Sequence, residues 1–148
     1  KCNMTDIQAS IGLEQLKRYP NMLDRRQEII RKYDAAFKER DVKVLSHQSD
    51  RYCSSGHLYF IRPEGITEEQ RNDIIVKLAE LGIASNVHYK PLPMLTAYKN
   101  MGFDIVNYPN AYNYYKNEIT LPLYSKLTDE QVEYIISGVI SILKDYER

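Results

Sequence analysis

His57-Leu58-Tyr59-Phe60-Ile61-Arg62-Pro63, then Thr67-Glu68-Glu69-Gln70, then Ile83-Ala84-Ser85-Asn86-Val87-His88-Tyr89, is the passage on which the fold turns. The first run is rich in aromatic and β-branched residues and stops at a proline, the mark of a strand. Thr67 with Gln70 forms a capping box, in which the hydroxyl accepts from one orphan backbone N–H and the amide reaches back to another. A helix over 68–81 follows, with Ile74, Ile75, Leu78 and Leu81 inward, and Gly82 suits its C-terminal cap. The third run is a second strand over 83–89, stopped by Pro91 and Pro93. Strand, helix and strand in that order predict the α/β class, as a small two-layer α+β domain whose sheet carries helices on one face.

Outward from this centre, the same start signal recurs at Thr5-Asp6-Ile7-Gln8 and Thr128-Asp129-Glu130-Gln131. The acidic residues at these starts suit the positive end of a helix dipole. Leu127 and Val132 occupy the two positions of a hydrophobic staple. The first box opens a helix over 6–18, which Pro20 bends or restarts. Leu23, Ile30, Tyr33 and Phe37 then make one apolar stripe over 21–40, so residues 1–41 read as a long helical arm and 42–148 as the α/β domain. A short strand is expected over 42–45, a loop over 46–56, and helices over 94–101 and 110–118. Residues 121–124 read as an extended piece that Pro122 holds at an edge or outside the sheet. The last helix, over 129–146, has Val132, Ile135, Ile136, Val139, Ile140 and Leu143 on one side.

With 148 residues and 43% hydrophobic composition, the chain has the material for one core. Its formal net charge of zero gives no electrostatic footprint for nucleic acid or for a membrane surface. No apolar run reaches the roughly 20 residues needed to span a bilayer. Lys1-Cys2-Asn3-Met4-Thr5-Asp6 has no secretory h-region and does not begin with Met, so a fragment of a longer protein is expected. Cys2 and Cys53 match no zinc spacing and are too few for a disulfide framework; reduced thiols in a cytoplasmic protein are expected. The 13 tyrosines suit half-buried positions at clefts and subunit contacts.

No phosphate-binding glycine loop, paired metal-ligand histidines or nucleophile elbow is present. The three histidines lie far apart and no metal site is expected. Three places carry chemistry-bearing groups. Lys1 and Asn3 precede a helix start, where free N–H groups and a partial positive charge suit a phosphate; an ordinary capped helix meeting water is the alternative. His88-Tyr89-Lys90 sits where a strand gives way to a proline-stiffened loop, a favoured place for binding groups; a His and Tyr satisfied by backbone is the alternative. His57 and Tyr59 share one strand face, facing a cleft or, alternatively, solvent or an interface. Arg25-Arg26 on the arm suits a partner's carboxylates or a solvated helix face.

The ordered set K-C-N-M-T-D-I-Q-A-S-I-G at 1–12, Q-L at 15–16, R-R-Q-E-I-I-R-K-Y at 25–33, H-L-Y-F-I-R at 57–62, L-G-I-A-S-N-V-H-Y-K-P-L at 81–92 and L-P-L-Y-S-K-L-T-D-E-Q-V at 121–132 resembles the DegT/DnrJ-type sugar aminotransferases over nearly the whole chain. Cys2 stands where an aromatic residue is frequent in that family, Ser10 where Ala is, and Ser125 where Pro is. The resemblance implies a fold-type-I enzyme dependent on pyridoxal 5'-phosphate (PLP), of which this chain is the connecting helix plus the small C-terminal domain. The family's Schiff-base lysine lies upstream of K-x-N-M-T-D, so no catalytic residue is assigned here and the isolated chain is expected to be inactive. The family moves an amino group, commonly from glutamate, onto a keto sugar attached to a nucleotide, in amino-sugar and cell-surface polysaccharide biosynthesis. It works as a homodimer with active sites at the subunit boundary. On that resemblance Asn3, with Lys1 as a second contributor, contacts the PLP phosphate of the neighbouring subunit, and His88, with Tyr89 secondary, contacts the sugar substrate. Two alternatives remain from the sequence: a PLP-dependent sugar dehydratase of the same superfamily, in which histidine replaces the lysine, and a non-catalytic dimerisation or small-molecule-binding module.

Overall fold

The computed structural model describes residues 3–146. Helix α1 spans Asp6–Phe37 as a single element of 32 residues that continues through Pro20. Of the two outcomes expected at Pro20, a bend or a restart, the restart does not occur. Proline removes one N–H from the helical ladder, and the carbonyl this frees belongs to Leu16, an exposed position. Thr5 caps α1, Thr67 caps α2 (Glu68–Glu80), and Thr128 caps the last helix, each in a complete capping box with the Gln three residues on.

The sheet is antiparallel. Strand β1 (Val42–Val44) pairs with β4 (Tyr59–Pro63), and β4 pairs with β5 (Ile119–Leu121), so β4 is central. Between β1 and β4, the expected loop over 46–56 holds a two-residue ladder, β2 (Gln48–Ser49) with β3 (Tyr52–Cys53). Pro63 closes β4 as its last residue, opposite Val42. The segment after α2 was expected to be a strand over 83–89. Its backbone pairs with the sheet through a single antiparallel bridge, Asn86 opposite Thr120.

Two short helices, α3 (Thr96–Asn100) and α4 (Pro109–Tyr115), each follow a 3-10 turn, at Leu92–Met94 and Ile105–Asn107. The helix expected over 110–118 thus ends at Tyr115, and the polar residues after it lead into β5. Helix α5 runs Asp129–Leu143. Its expected last turn, to 146, closes instead with tighter bonds from Asp145 N to Ile142 O and from Tyr146 N to Leu143 O.

Tyr59 and Ile61 of β4 and Ile119 and Leu121 of β5 point into one buried cluster. Ile29, Ile30, Tyr33 and Phe37 of α1, Ile74 and Leu78 of α2, and Val132, Ile135, Ile136 and Val139 of α5 complete it. Each such side chain contributes on the order of 1.5–3 kcal/mol when fully buried. Tyr59 therefore belongs to the core and not to a cleft-facing or solvent set. Its ring lies 4.9 Å from that of Tyr33, and its hydroxyl donates to Asp34 Oδ1 at 2.8 Å. His57 precedes β4 and is exposed.

The turn from α2 toward Asn86 is fixed by Gly82 at φ +72°, a conformation that costs little without a Cβ. Gly82 N donates to Ala79 O and Ile83 N to Leu78 O, both at 2.9 Å. Buried Ile83 and Leu78 supply the apolar contact that accompanies such a cap. Arg25 ties α1 to the start of α5: its Nη2 reaches Leu127 O at 2.7 Å and Asp129 Oδ1 at 2.8 Å. The carboxylate that Arg25 meets thus lies in its own chain. Arg25 and then Lys32 hold the Asp129 carboxyl below its usual range.

Candidate functional site

The Asn86 bridge is short because its ladder is interrupted on both sides. Asn86 N donates to Thr120 O at 3.2 Å and Thr120 N to Asn86 O at 2.7 Å. Continuing the antiparallel register would place His88 opposite Glu118 and Ala84 opposite Pro122. Pro122 has no N–H to give, and its carbonyl is taken by the Tyr33 hydroxyl at 2.8 Å. At the other end, the Glu118 carbonyl accepts from Arg71 Nη1 at 3.3 Å, while the His88 N–H is captured by the Glu118 side chain, Oε2, at 2.9 Å. A carboxylate has replaced a main-chain acceptor, and the backbone leaves the sheet at His88. The His88-Tyr89 peptide is cis.

This departure builds a compact polar cluster. Glu118 is 1% exposed, and Thr120 is 5% exposed. Thr120 Oγ1 donates to Glu118 Oε1 at 2.5 Å and lies 2.9 Å from His88 Nδ1. Burial pushes the Glu118 carboxyl up, opposed by the bonds from Thr120 and the His88 backbone and by the charges of Arg71 and Arg62. The His88 ring is half-buried and meets the Tyr89 ring edge-on at 4.7 Å, while Tyr89 is 72% exposed. The cluster can therefore hold one imidazole in a fixed orientation at the edge of the sheet.

Arg71 and Asn117 brace the connection that carries Glu118. Arg71, 1% exposed on α2, donates to Tyr115 O at 3.1 Å as well as to Glu118 O. Its guanidinium lies 4.7 Å from the Tyr115 ring centroid. Asn117 Nδ2 donates to Pro63 O at 2.8 Å, and Asn117 Oδ1 accepts from Arg62 Nε at 3.1 Å. Sequence reasoning missed Glu118, Thr120, Arg71 and Asn117. A signal existed for part of it: Glu118-Ile119-Thr120-Leu121 alternates polar and apolar with strand period. Assigning 110–118 to a helix hid it.

Asn3 is exposed, two residues ahead of the Thr5 cap, and far in sequence from His88. Lys1 lies outside the described residues. The cap consumes the Gln8 N–H, and the helical ladder begins with Ala9 N to Thr5 O, so the N–H groups of Asp6 and Ile7 remain open. An amide plus open N–H groups at a positive helix end is a donor set of the kind that holds an oxyanion such as phosphate. His47 is structural: it stacks on Tyr59 at 5.5 Å, its Nδ1 lies 3.2 Å from Ser54 Oγ, and burial lowers its pKa. Among the described residues no three His, Cys, Asp or Glu side chains gather as a metal site, and no helix is long and apolar enough to cross a membrane.

A model of the DegT/DnrJ/EryC1/StrS aminotransferase family matches residues 1–140. The chain belongs to that family. It is 36% identical over 150 residues to the spore coat polysaccharide biosynthesis protein SpsC of Bacillus subtilis, covering 97% of this chain and 38% of that protein. It is 30% identical to the UDP-4-amino-4,6-dideoxy-N-acetyl-beta-L-altrosamine transaminase of Helicobacter pylori, covering 97% of this chain and 38% of the relative. The chain thus spans about 38% of the length of the curated relatives it matches. Among solved structures, the PLP form of Spr1654 from Streptococcus pneumoniae, described as a sugar aminotransferase, superposes over 100% of this chain and 38% of its own. The TM-score is 0.95 at 55% identity. A form of the same protein with PMP gives the same TM-score. These superpositions carry the α/β fold of the small sheet and its helices, and the family read from the ordered motifs holds.

Proposed function

We propose that this chain is the C-terminal part of a PLP-dependent aminotransferase that moves an amino group from glutamate onto a nucleotide-linked keto sugar. The observation that carries this reading is the superposition on a PLP-bound family member across the whole chain at 55% identity. PLP, when bound, supplies the electron sink that lets an amino group leave one carbon and join another. The lysine that holds it belongs to the part of the protein outside these 148 residues. What this chain contributes is binding and orientation. The Asn3 amide and the open N–H groups of Asp6 and Ile7 hold the cofactor phosphate of the partner subunit in a homodimer, with Lys1 as a further cation. His88 meets the sugar, and Tyr89, largely exposed, closes the rim. The arm over 1–41 links to the cofactor-bearing domain, and residues 42–148 form the small domain.

The exposed apolar residues of the arm support this linkage. Met4, Ile7, Ile11, Leu13 and Leu16 are 58–74% exposed, and an apolar surface of that kind needs cover from elsewhere in the protein. The test uses the intact protein that contains this chain. Amino transfer from glutamate converts bound PLP to PMP and is followed by absorbance; transfer onward to a nucleotide-linked keto sugar is followed by mass spectrometry. His88→Gln is expected to raise KM for the sugar about tenfold, one lost hydrogen bond, with the glutamate half-reaction unchanged. Equal effects on both half-reactions remove His88 from the sugar site, and no transfer to any keto sugar overturns the assignment.

A further inference from the structure

Glu118, Thr120 and His88 form a chain of hydrogen bonds with a direction. Both Glu118 oxygens accept: Oε2 from the His88 backbone N–H at 2.9 Å and Oε1 from the Thr120 hydroxyl at 2.5 Å. Thr120 has one proton, and Glu118 takes it. Toward His88 Nδ1, 2.9 Å away, the Thr120 oxygen can then only accept. We propose that Glu118, acting through the Thr120 hydroxyl, fixes the proton of the neutral His88 ring on Nδ1 and so leaves a bare Nε2 lone pair as the ring's outward-facing acceptor. Glu118 and Thr120 are positioning residues; neither touches substrate.

The consequence is a specificity for ligand chemistry. A bare Nε2 recognises a hydrogen-bond donor, such as a sugar hydroxyl or an amine, and disfavours a carbonyl or phosphate oxygen at the same point. Among the described residues, none hydrogen-bonds Nε2. The relay is held from three sides. Arg71 of α2 grips the Glu118 carbonyl, Asn117, the residue before Glu118, donates from its own Nδ2 to Pro63 O, and the Asn86 bridge fixes Thr120. Burial raises the Glu118 carboxyl, and the bonds from Thr120 and the His88 backbone, with the charges of Arg71 and Arg62, oppose that rise and favour the doubly accepting carboxylate.

This inference rests on the reading of His88 as a sugar contact for its meaning, but its test is independent of that reading. The intact protein is prepared with ring-15N histidine, and the His88 resonances are assigned by their loss in His88→Gln. The wild type is expected to show a protonated Nδ1 and a bare Nε2. Glu118→Gln keeps the shape but reverses the chain: its carbonyl faces the His88 N–H, its NH2 donates to Thr120, and Thr120 donates to Nδ1. The proton should move to Nε2. Thr120→Val removes the link and should abolish the Nδ1–H preference, while Thr120→Ser should keep it. A ring whose protonation is the same in wild type, Glu118→Gln and Thr120→Val overturns the relay. If Glu118→Gln does not fold, the Val and Ser variants at 120 decide it alone. Kinetics separate the two claims: with His88 on the sugar, Glu118→Gln raises the sugar KM about tenfold and leaves the glutamate half-reaction unchanged. An inverted tautomer with unchanged sugar KM upholds the relay and removes His88 from the sugar site.

Discussion

The two halves of α1 share one helix and have opposite surroundings. In the C-terminal half, Ile29, Ile30, Tyr33 and Phe37 are 0–2% exposed and form part of the core. In the N-terminal half, Ile7, Ile11, Leu13 and Leu16 are 58–74% exposed. Both halves carry apolar residues, so composition does not separate them. The difference lies in what the chain offers as a neighbour. The C-terminal half packs on α5 and β1 and is pinned by Arg25 and Lys32 to Asp129. The side-chain hydrogen bonds and the ion pair of the N-terminal half lie within its own turns. One helix thus is core at its C-terminal end and exposed at its N-terminal end, the end that the proposed function joins to the rest of the protein.

Three stability measurements break or sharpen this contrast. Phe37→Ala should cost about 3–5 kcal/mol, because it empties a site in a closed core. Chemical denaturation of the 148-residue chain measures it, and a cost near that of a surface change would place Phe37 outside the core. The pair Ile7→Ser with Ile11→Ser should cost about 2–4 kcal/mol in the intact protein, where the proposed function has the arm covered. The same pair in the isolated chain should change stability by no more than about 0.5 kcal/mol, as surface substitutions do. Equal costs in the two settings would erase the difference between the halves.

Local chemistry was legible in the sequence. Each Thr-x-x-Gln box became a helix start because both of its hydrogen bonds lie within one turn, and Gly82 became a cap for the same reason. What was not legible depends on partners distant in the chain. The strand expected over 83–89 shrank to Asn86 because Pro122 and Glu118, more than thirty residues on, end its ladder. Tyr59 alternates correctly for either sheet face, and only the position of α1 and Asp34 makes its face the inner one. His88 was legible as a candidate, but its orienting partners were not. Their pairing needs the β5 register, and the register follows from the same distant contacts.

The central claim is that this chain is scaffold and cleft edge, with the lysine that carries the cofactor encoded elsewhere in the protein. The direct measurement is borohydride reduction of the intact PLP-loaded protein, followed by peptide mass spectrometry to find the lysine that becomes covalently labelled. The account predicts one labelled lysine, outside the 148 residues described by this sequence. A label on any lysine between Lys1 and Lys144 would contradict it.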